Sequence, residues 1–269
     1  MTRSEALLAW YRSNARDLPW RHTGDPYRIL VSEVMLQQTQ VHRVIPAYER
    51  FLAAFPTPAA LAVAPLDAVL AAWSGLGYNA RARRLRDAAR IVVAEGWSPR
   101  SRDLQRLPGV GPYTAAAVAS IAFGERVAVD DTNVRRVLSR WIGRPLSGVA
   151  LREAADVELA GEAATWNQAI MELGAVLCRP NPVCTSCPVR TWCADPSVYT
   201  PPRRQTPFRG SHREVRGAVL RALGDGRWRT RHQLSAETGH DPKSVAAAIG
   251  SLAVDQLVEQ DGGLARIGG

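Results

Sequence analysis

Lysine is almost missing from this 269-residue chain. Lys243 is the only one, although Lys and Arg together number 34 against 25 Asp and Glu, for a formal charge of +9. Arginine in place of lysine follows from a GC-rich genome as readily as from function. The positive balance is a separate property, and it favours a polyanionic partner. Long apolar runs are missing too. No stretch approaches the roughly 18 unbroken apolar residues of a membrane span. The N-terminal MTRSEALLAWYRSNAR lacks the apolar core and the small-residue cleavage site of a secretory signal. No membrane partner and a cytoplasmic location are therefore expected.

Cysteine is absent from all but one window. Cys178, Cys184, Cys187 and Cys193 fall within sixteen residues, spaced C-x5-C-x2-C-x5-C. A secreted disulfide scaffold spreads its cysteines through a short chain, whereas a cluster in a long one points to a metal site. Four thiolates suit either zinc or a [4Fe–4S] cluster. Zinc sites more often use paired CxxC knuckles, and only one such pair occurs here.

Strand-like alternation is scarce and internal repeats are lacking. What is present is helical periodicity, punctuated by Pro46, Pro56, Pro65 and Pro108. Ser4 is the expected N-cap of the first helix, and ILVSEVMLQQTQVHRVIPAYERFLAAF reads as helical throughout. After Cys193 the composition turns proline-rich and polar in DPSVYTPPRRQTP, a linker by composition. Three helices and a short ribbon pairing the end of DQLVEQ with LARIG then follow. That order resembles a winged-helix module.

The most informative stretch is LPGVGPYTAAAVAS, Leu107 to Ser120. Gly109 and Gly111 make a turn too tight for side chains, and Pro112 suits a first helical turn. The amides of Val110, Gly111 and Tyr113 are then placed to face a phosphate at a helix N-terminus. An ordinary hairpin with a glycine connector reads the same way. Two acids stand out nearby. Glu33 lies within ILVSEVML, where burial would favour its protonated form. Asp131, in the doublet Asp130–Asp131 before TNVRRV, suits a helix cap as well as chemistry. The run Arg81, Arg83, Arg84 and Arg86 suits phosphate binding or a solvated helix face about equally.

Together LPGVGPYTA and VDDTNVRRV resemble the helix-hairpin-helix DNA glycosylases. LPWR with PYRILVSEVMLQQTQV (Leu18 to Val41) and WSGLGYNARARRL (Trp73 to Leu85) narrow the resemblance to the adenine DNA glycosylase (MutY) family. It covers about residues 1–195. The implied fold is all-α: a two-lobed core with an iron–sulfur loop (about 20–126 as a six-helix lobe, 1–19 plus 127–195 as the second). A linker at 196–207 and the winged-helix-like module at 208–269 complete the expected architecture. The resemblance implies removal of adenine opposite 8-oxoguanine or guanine in double-stranded DNA, by a monomer associated with the nucleoid. It assigns Glu33 to protonating adenine N7, Asp131 to stabilising the sugar's positive charge, and Asn133 to hydrogen bonding near that sugar. Gln38 and Tyr78 become wedges in the opened stack. Trp20, Arg21, Leu36 and Gln168 line the base pocket, Gln37 and Thr39 flank the wedge, and Gly109, Val110 and Gly111 hold backbone phosphate. It also places a [4Fe–4S] cluster on Cys178, Cys184, Cys187 and Cys193.

Three further features stand out: a contrast with a related family and two departures from the family pattern. Related endonuclease III proteins carry at the position of Tyr113 a lysine that forms a Schiff base and cuts the strand. A phenol forms no such imine, so a glycosylase without strand cleavage is expected, Tyr113 packing or hydrogen-bonding beside Asp131. The loop RPNPV between the first two cysteines is one residue shorter than usual and keeps only Arg179 as a basic residue. The tail is too short for the Nudix-like domain with which many members recognise 8-oxoguanine, so it offers no support for selectivity toward the opposite base. The rival functions are a mismatch glycosylase for thymine or uracil opposite G, and a non-catalytic iron–sulfur DNA-binding protein.

Overall fold

A computed structural model of the chain describes residues 1–199, 201 and 207–268. In chain order the helices are α1 (Arg3–Asn14), α2 (Pro26–Leu36), α3 (Val41–Ala54), α4 (Pro58–Val63), α5 (Leu66–Ala72), α6 (Ala80–Glu95), α7 (Ser101–Leu104), α8 (Pro112–Phe123), α9 (Thr132–Ile142), α10 (Gly148–Glu158) and α11 (Ala163–Val176). Then follow α12 (His212–Ala222), β1 (Arg229–Thr230), α13 (Arg231–Thr238), α14 (Pro242–Val254), β2 (Val258–Asp261) and β3 (Leu264–Ile267). Backbone contacts gather them into two units: Met1–Glu33 with Trp97–Arg203, and Val34–Gly96 with Arg204–Gly269.

Several boundaries differ from the sequence expectation. Thr2, not Ser4, caps α1, in a capping box with Glu5. Ser4 is buried and its hydroxyl donates to the Glu158 carbonyl at 2.8 Å. The stretch expected to be helical from Ile29 to Phe55 breaks between Leu36 and Val41, where Gln38 adopts φ +56°. Pro46 punctuates nothing; it lies inside α3. Most of the expected linker, residues 200 and 202–206, lies outside the described residues.

The first unit packs around α8, α9 and α11. Leu7, Val134, Val137, Leu138, Trp166 and Ile170 are fully buried there, each such aliphatic side chain contributing about 1.5–3 kcal/mol on burial. The alanines of α8 explain themselves: Ala115 to Ala119 are all buried, as befits a helix surrounded on every side. Helix α11 crosses α9 so closely that a Cβ on Gly174 would lie 2.6 Å from the Asn133 Cβ.

In the second unit α4 packs on α6, and α12 on α14. The expected ribbon is present: β2 pairs antiparallel with β3 from Val258↔Ile267 to Asp261↔Leu264, and β1 adds to β3's other edge. The C-terminal elements are tied to the 34–96 segment. Arg83 Nε donates to the Asp255 carbonyl at 3.0 Å, and Arg213 to the Tyr78 hydroxyl at 3.1 Å.

Candidate active site

Helix α2 sets Glu33 among Ile29, Leu30, Val31, Val34 and Met35, all buried, and Glu33 itself is only 5% exposed. Burial pushes its carboxyl up to about 7. A hydrogen bond from the Tyr113 hydroxyl opposes that rise and the negative charge of Asp131 adds to it. Its Oε2 is buried with no hydrogen-bond partner among the described residues. A lone buried carboxyl oxygen costs stability, and a catalytic role is one reason for such an atom to be kept.

Tyr113 stands in the first turn of α8, directly after the glycine turn. Burial, and then the nearby charges of Glu33 and Asp131, hold its phenol well above the usual range, so it remains a donor. Its hydroxyl also meets the Met171 sulfur at 3.5 Å. Asp131 is the N-cap of α9: Oδ1 accepts from the Val134 amide at 2.6 Å and Oδ2 from Asn133 Nδ2 at 2.9 Å. Burial raises its carboxyl above the usual range against those bonds. Asp130 instead pairs with Arg135 at 3.2 Å, which separates the two members of the doublet. Glu33, Tyr113, Asp131 and Asn133 thus form one connected group.

Residues that the sequence reading passed over hold this group in place. Asn167 is fully buried between α8 and the chain leading to Asp131; it donates to Ser120 Oγ and the Val127 carbonyl, and accepts from the Val129 amide at 3.1 Å. Arg136 donates to Asn133 Oδ1 (2.8 Å), the Gly174 carbonyl (2.7 Å) and the Cys178 carbonyl (2.6 Å). A continuous chain of bonds therefore joins the cysteine segment to Asp131. A glycine inside the apolar helix ELGAVLC was the one signal on offer, and its meaning lay in the partner helix.

The expected base-pocket residues divide. Trp20 is buried. Gln168 Oε1 accepts from the Tyr11 hydroxyl at 2.8 Å, and Arg21 pairs with the buried Glu172 at 2.7 Å. Leu36, Gln37, Gln38, Thr39 and Tyr78 belong to the second unit, Gln38 and Tyr78 with exposed side chains and left-handed backbone.

Two expectations about phosphate need correction. The Val110 amide is not free, because it closes the turn onto the Leu107 carbonyl at 3.1 Å, and the Val110 side chain is buried. Gly109 does take the left-handed backbone (φ +79°) that the turn requires, and Gly111 caps α8 ahead of Pro112. The arginine run is not a phosphate face either. Arg81 and Arg86 are buried, Arg83 is paired with Asp87 at 2.7 Å, and only Arg84 is exposed.

None of the four cysteines is in a disulfide, and all four line one cavity of about 210 Å³ that Trp141 and Leu177 also line. Among the described residues no three His, Cys, Asp or Glu side chains converge tightly enough to hold a single metal ion. The fully buried Arg140 clasps the segment from below, donating to Cys178 Sγ at 3.3 Å and to the Arg179 and Pro180 carbonyls at 2.7 and 2.9 Å.

Comparison with known proteins bears on this geometry. The family described as HhH-GPD superfamily base excision DNA repair protein matches residues 31–147. The adenine DNA glycosylase of Mycobacterium tuberculosis (strain CDC 1551 / Oshkosh) is 41% identical over 94% of this chain and 88% of its own length. That of Mycolicibacterium smegmatis is 42% identical over 94% and 92%. Among solved structures, a thermostable thymine-DNA glycosylase superposes with a TM-score of 0.67 at 31% identity, covering 71% of this chain and 93% of its own. No described helix is long and apolar enough to cross a membrane.

Proposed function

Because the chain belongs to the adenine DNA glycosylase family of base excision repair proteins, we propose that it releases adenine by dividing the work between Glu33 and Asp131. The protein is a DNA N-glycosylase. The observation that carries the division of labour is the unpaired, buried Oε2 of Glu33, on a carboxyl that titrates near 7 beside Asp131.

A purine is a poor leaving group as an anion, and its sugar becomes positive as the bond breaks. One acid must give a proton and another must stay negative. Glu33, half protonated near neutral pH, donates from its unpaired oxygen to the ring nitrogen N7, and the bonding pair of the glycosidic bond leaves with the base. Asp131 faces the developing oxocarbenium charge, its helix-cap bonds fixing it and favouring its ionised form. Water then adds to C1′ and its proton returns to Glu33. Tyr113 orients Glu33 by hydrogen bonding and supplies no amine. Base release without strand cleavage follows.

The opposing base is assigned as 8-oxoguanine or guanine, on the strength of the Leu18–Val41 and Trp73–Leu85 motifs. Residues 208–269, with the order helix, strand, helix, helix, ribbon, support the winged-helix-like reading of the tail. The cysteines suit a [4Fe–4S] cluster better than zinc. A single zinc ion draws its thiolates to about 2.3 Å from one centre, whereas these four line a cavity of about 210 Å³. Cys178, Cys184, Cys187 and Cys193 would be its ligands, and when bound it supplies a structural cross-link rather than a reaction step.

Purified protein should be incubated with duplexes carrying A·8-oxoguanine, A·G, A·C, T·G and U·G, with abasic sites scored before and after alkali. Release of adenine from the first two, with breaks only after alkali, is expected. Release from T·G or U·G alone would favour the thymine-type activity of the structural neighbour. Breaks without alkali would refute the role given to Tyr113.

A further inference from the structure

Among the described residues only Gln38, Tyr78 and Gln256 are non-glycines with positive φ, at 56°, 49° and 55°. Side chains with a Cβ rarely enter this region, and residues held there need a strong local constraint. For Gln38 and Tyr78 one side chain contributes to that constraint at both turns. Arg81 opens α6 and is only 7% exposed. Its Nη1 donates to the carbonyls of Val34 (2.7 Å), Met35 (3.1 Å) and Gln37 (2.6 Å). Its Nη2 reaches Thr39 Oγ1 (3.1 Å) and the carbonyls of Gly77 (3.0 Å) and Leu76 (3.4 Å). Its Nε points to the Tyr78 carbonyl at 3.4 Å. The same guanidinium lies 5.5 Å from the Tyr78 ring and 5.3 Å from the Trp73 ring.

These acceptors sit on both sides of Gln38 and on Tyr78 and the two residues before it. One rigid fork therefore spans two turns that are about forty residues apart in sequence and fixes both unusual backbones at once. We infer that Arg81 is the positioning residue that pre-sets Gln38 and Tyr78 together for opening the DNA stack. This rests on the wedge role of Gln38 and Tyr78. It also explains why an arginine in the run expected to meet DNA is buried: its charge is spent on carbonyls, not on phosphate. Lysine, with one point charge and three donors, cannot reproduce the span.

The test is a mutant cycle read out by single-turnover adenine excision and by the fluorescence of 2-aminopurine placed next to the target base. The variants are Arg81→Lys, Gln38→Ala/Tyr78→Ala, and their combination. Arg81→Lys should lower both readouts about tenfold, equivalent to about 1.4 kcal/mol. In the Gln38→Ala/Tyr78→Ala background the same substitution should change them by less than about twofold, because the groups it positions are gone. An equal fall in both backgrounds means Arg81 acts only on overall stability, and overturns the inference. So does an unchanged Arg81→Lys alongside an impaired double variant. A double variant with parental readouts overturns instead the wedge role itself. Should Arg81→Lys not fold, Thr39→Val removes one acceptor of the fork. It should lower both readouts about two- to threefold in the parent and leave the double variant unchanged; an equal effect in both, or none, overturns the inference.

Discussion

Replacing Glu33 by glutamine should make the protein inactive and, above neutral pH, more stable. The folded carboxyl titrates near 7 where an unfolded one titrates near 4.5, chiefly because burial penalises its charge. Between those values the folded chain holds a proton that the unfolded chain has lost. Stability therefore falls as pH rises through that window, and the full penalty is present above about 7. At about 1.4 kcal/mol per pH unit the penalty approaches about 3 kcal/mol. The amide of the variant has no charge to bury, so Glu33→Gln should gain up to about 3 kcal/mol at pH 8, roughly 6–10 °C in melting temperature for a chain of this size. At pH 4.5 the folded carboxyl is neutral, as the amide is, and the gain should vanish. Calorimetric melting of the two proteins at pH 4.5 and 8, beside single-turnover excision at neutral pH, measures this. A melting difference independent of pH would show that the Glu33 carboxyl titrates alike in the folded and unfolded chain and is already ionised at neutral pH, and the acid assigned to it would have to be sought elsewhere.

Single-turnover excision should decline about tenfold per pH unit above about 7, as the acid form of Glu33 is lost; a rate flat to pH 9 removes Glu33 as the proton source. Gly174→Ala places a methyl 2.6 Å from the Asn133 Cβ, so it should displace Asn133 and Asp131. A loss of about 1–3 kcal/mol in unfolding free energy with slower excision is expected, and parental values for both would contradict the packing described. Cys187→Ser should lower stability and DNA affinity, measured by melting and by titration with labelled duplex, while the iron–sulfur absorbance disappears. If absorbance, stability and affinity all persist, Cys187 is not a ligand.

Much of the helical order was legible because it rests on local chemistry. Pro65 at the start of α5, the glycine turn and Pro112 before and in α8, and the apolar spacing of α9 need no partner to be read. Helices α4, α7 and α10 were not read, and several other failures are tertiary. Ser4 looked like a cap because serine favours that position, but its hydroxyl is drawn inward by the Glu158 carbonyl, leaving Thr2 to cap. The arginine run of α6 suited phosphate or a solvated face because sequence does not show that two turns fold over Arg81 or that Arg86 reaches the Ala64 carbonyl. The break at Gln37–Gln40 was invisible because no glycine or proline marks it; Arg81, which collects the surrounding carbonyls around a left-handed glutamine, lies some forty residues away in sequence. Asn167 and Arg136 left no local trace for the same reason: their importance lies in what crosses near them.

The two buried glutamates of the first unit show what separates chemistry from architecture. Glu33 in ILVSEVML and Glu172 in AIMELGAV carry the same sequence cue, an acid among apolar neighbours, and they are 5% and 1% exposed. Burial pushes both carboxyls up. At Glu172 the guanidinium groups of Arg16 and Arg21, each 2.7 Å away, more than offset it and hold the group at about 2. That glutamate is ionised at every physiological pH and ties α11 to the N-terminal segment; it has no proton to give. Glu33 receives no cation. Its neighbours are a phenol that stays protonated and a second acid, and one of its oxygens is left unpaired. A buried acid with cations is held as a fixed anion, and a buried acid facing another acid is held near the point of protonation. The difference is written on helices distant in sequence. For that reason the acid of this site is identified by its missing partner rather than by the residues beside it in the chain.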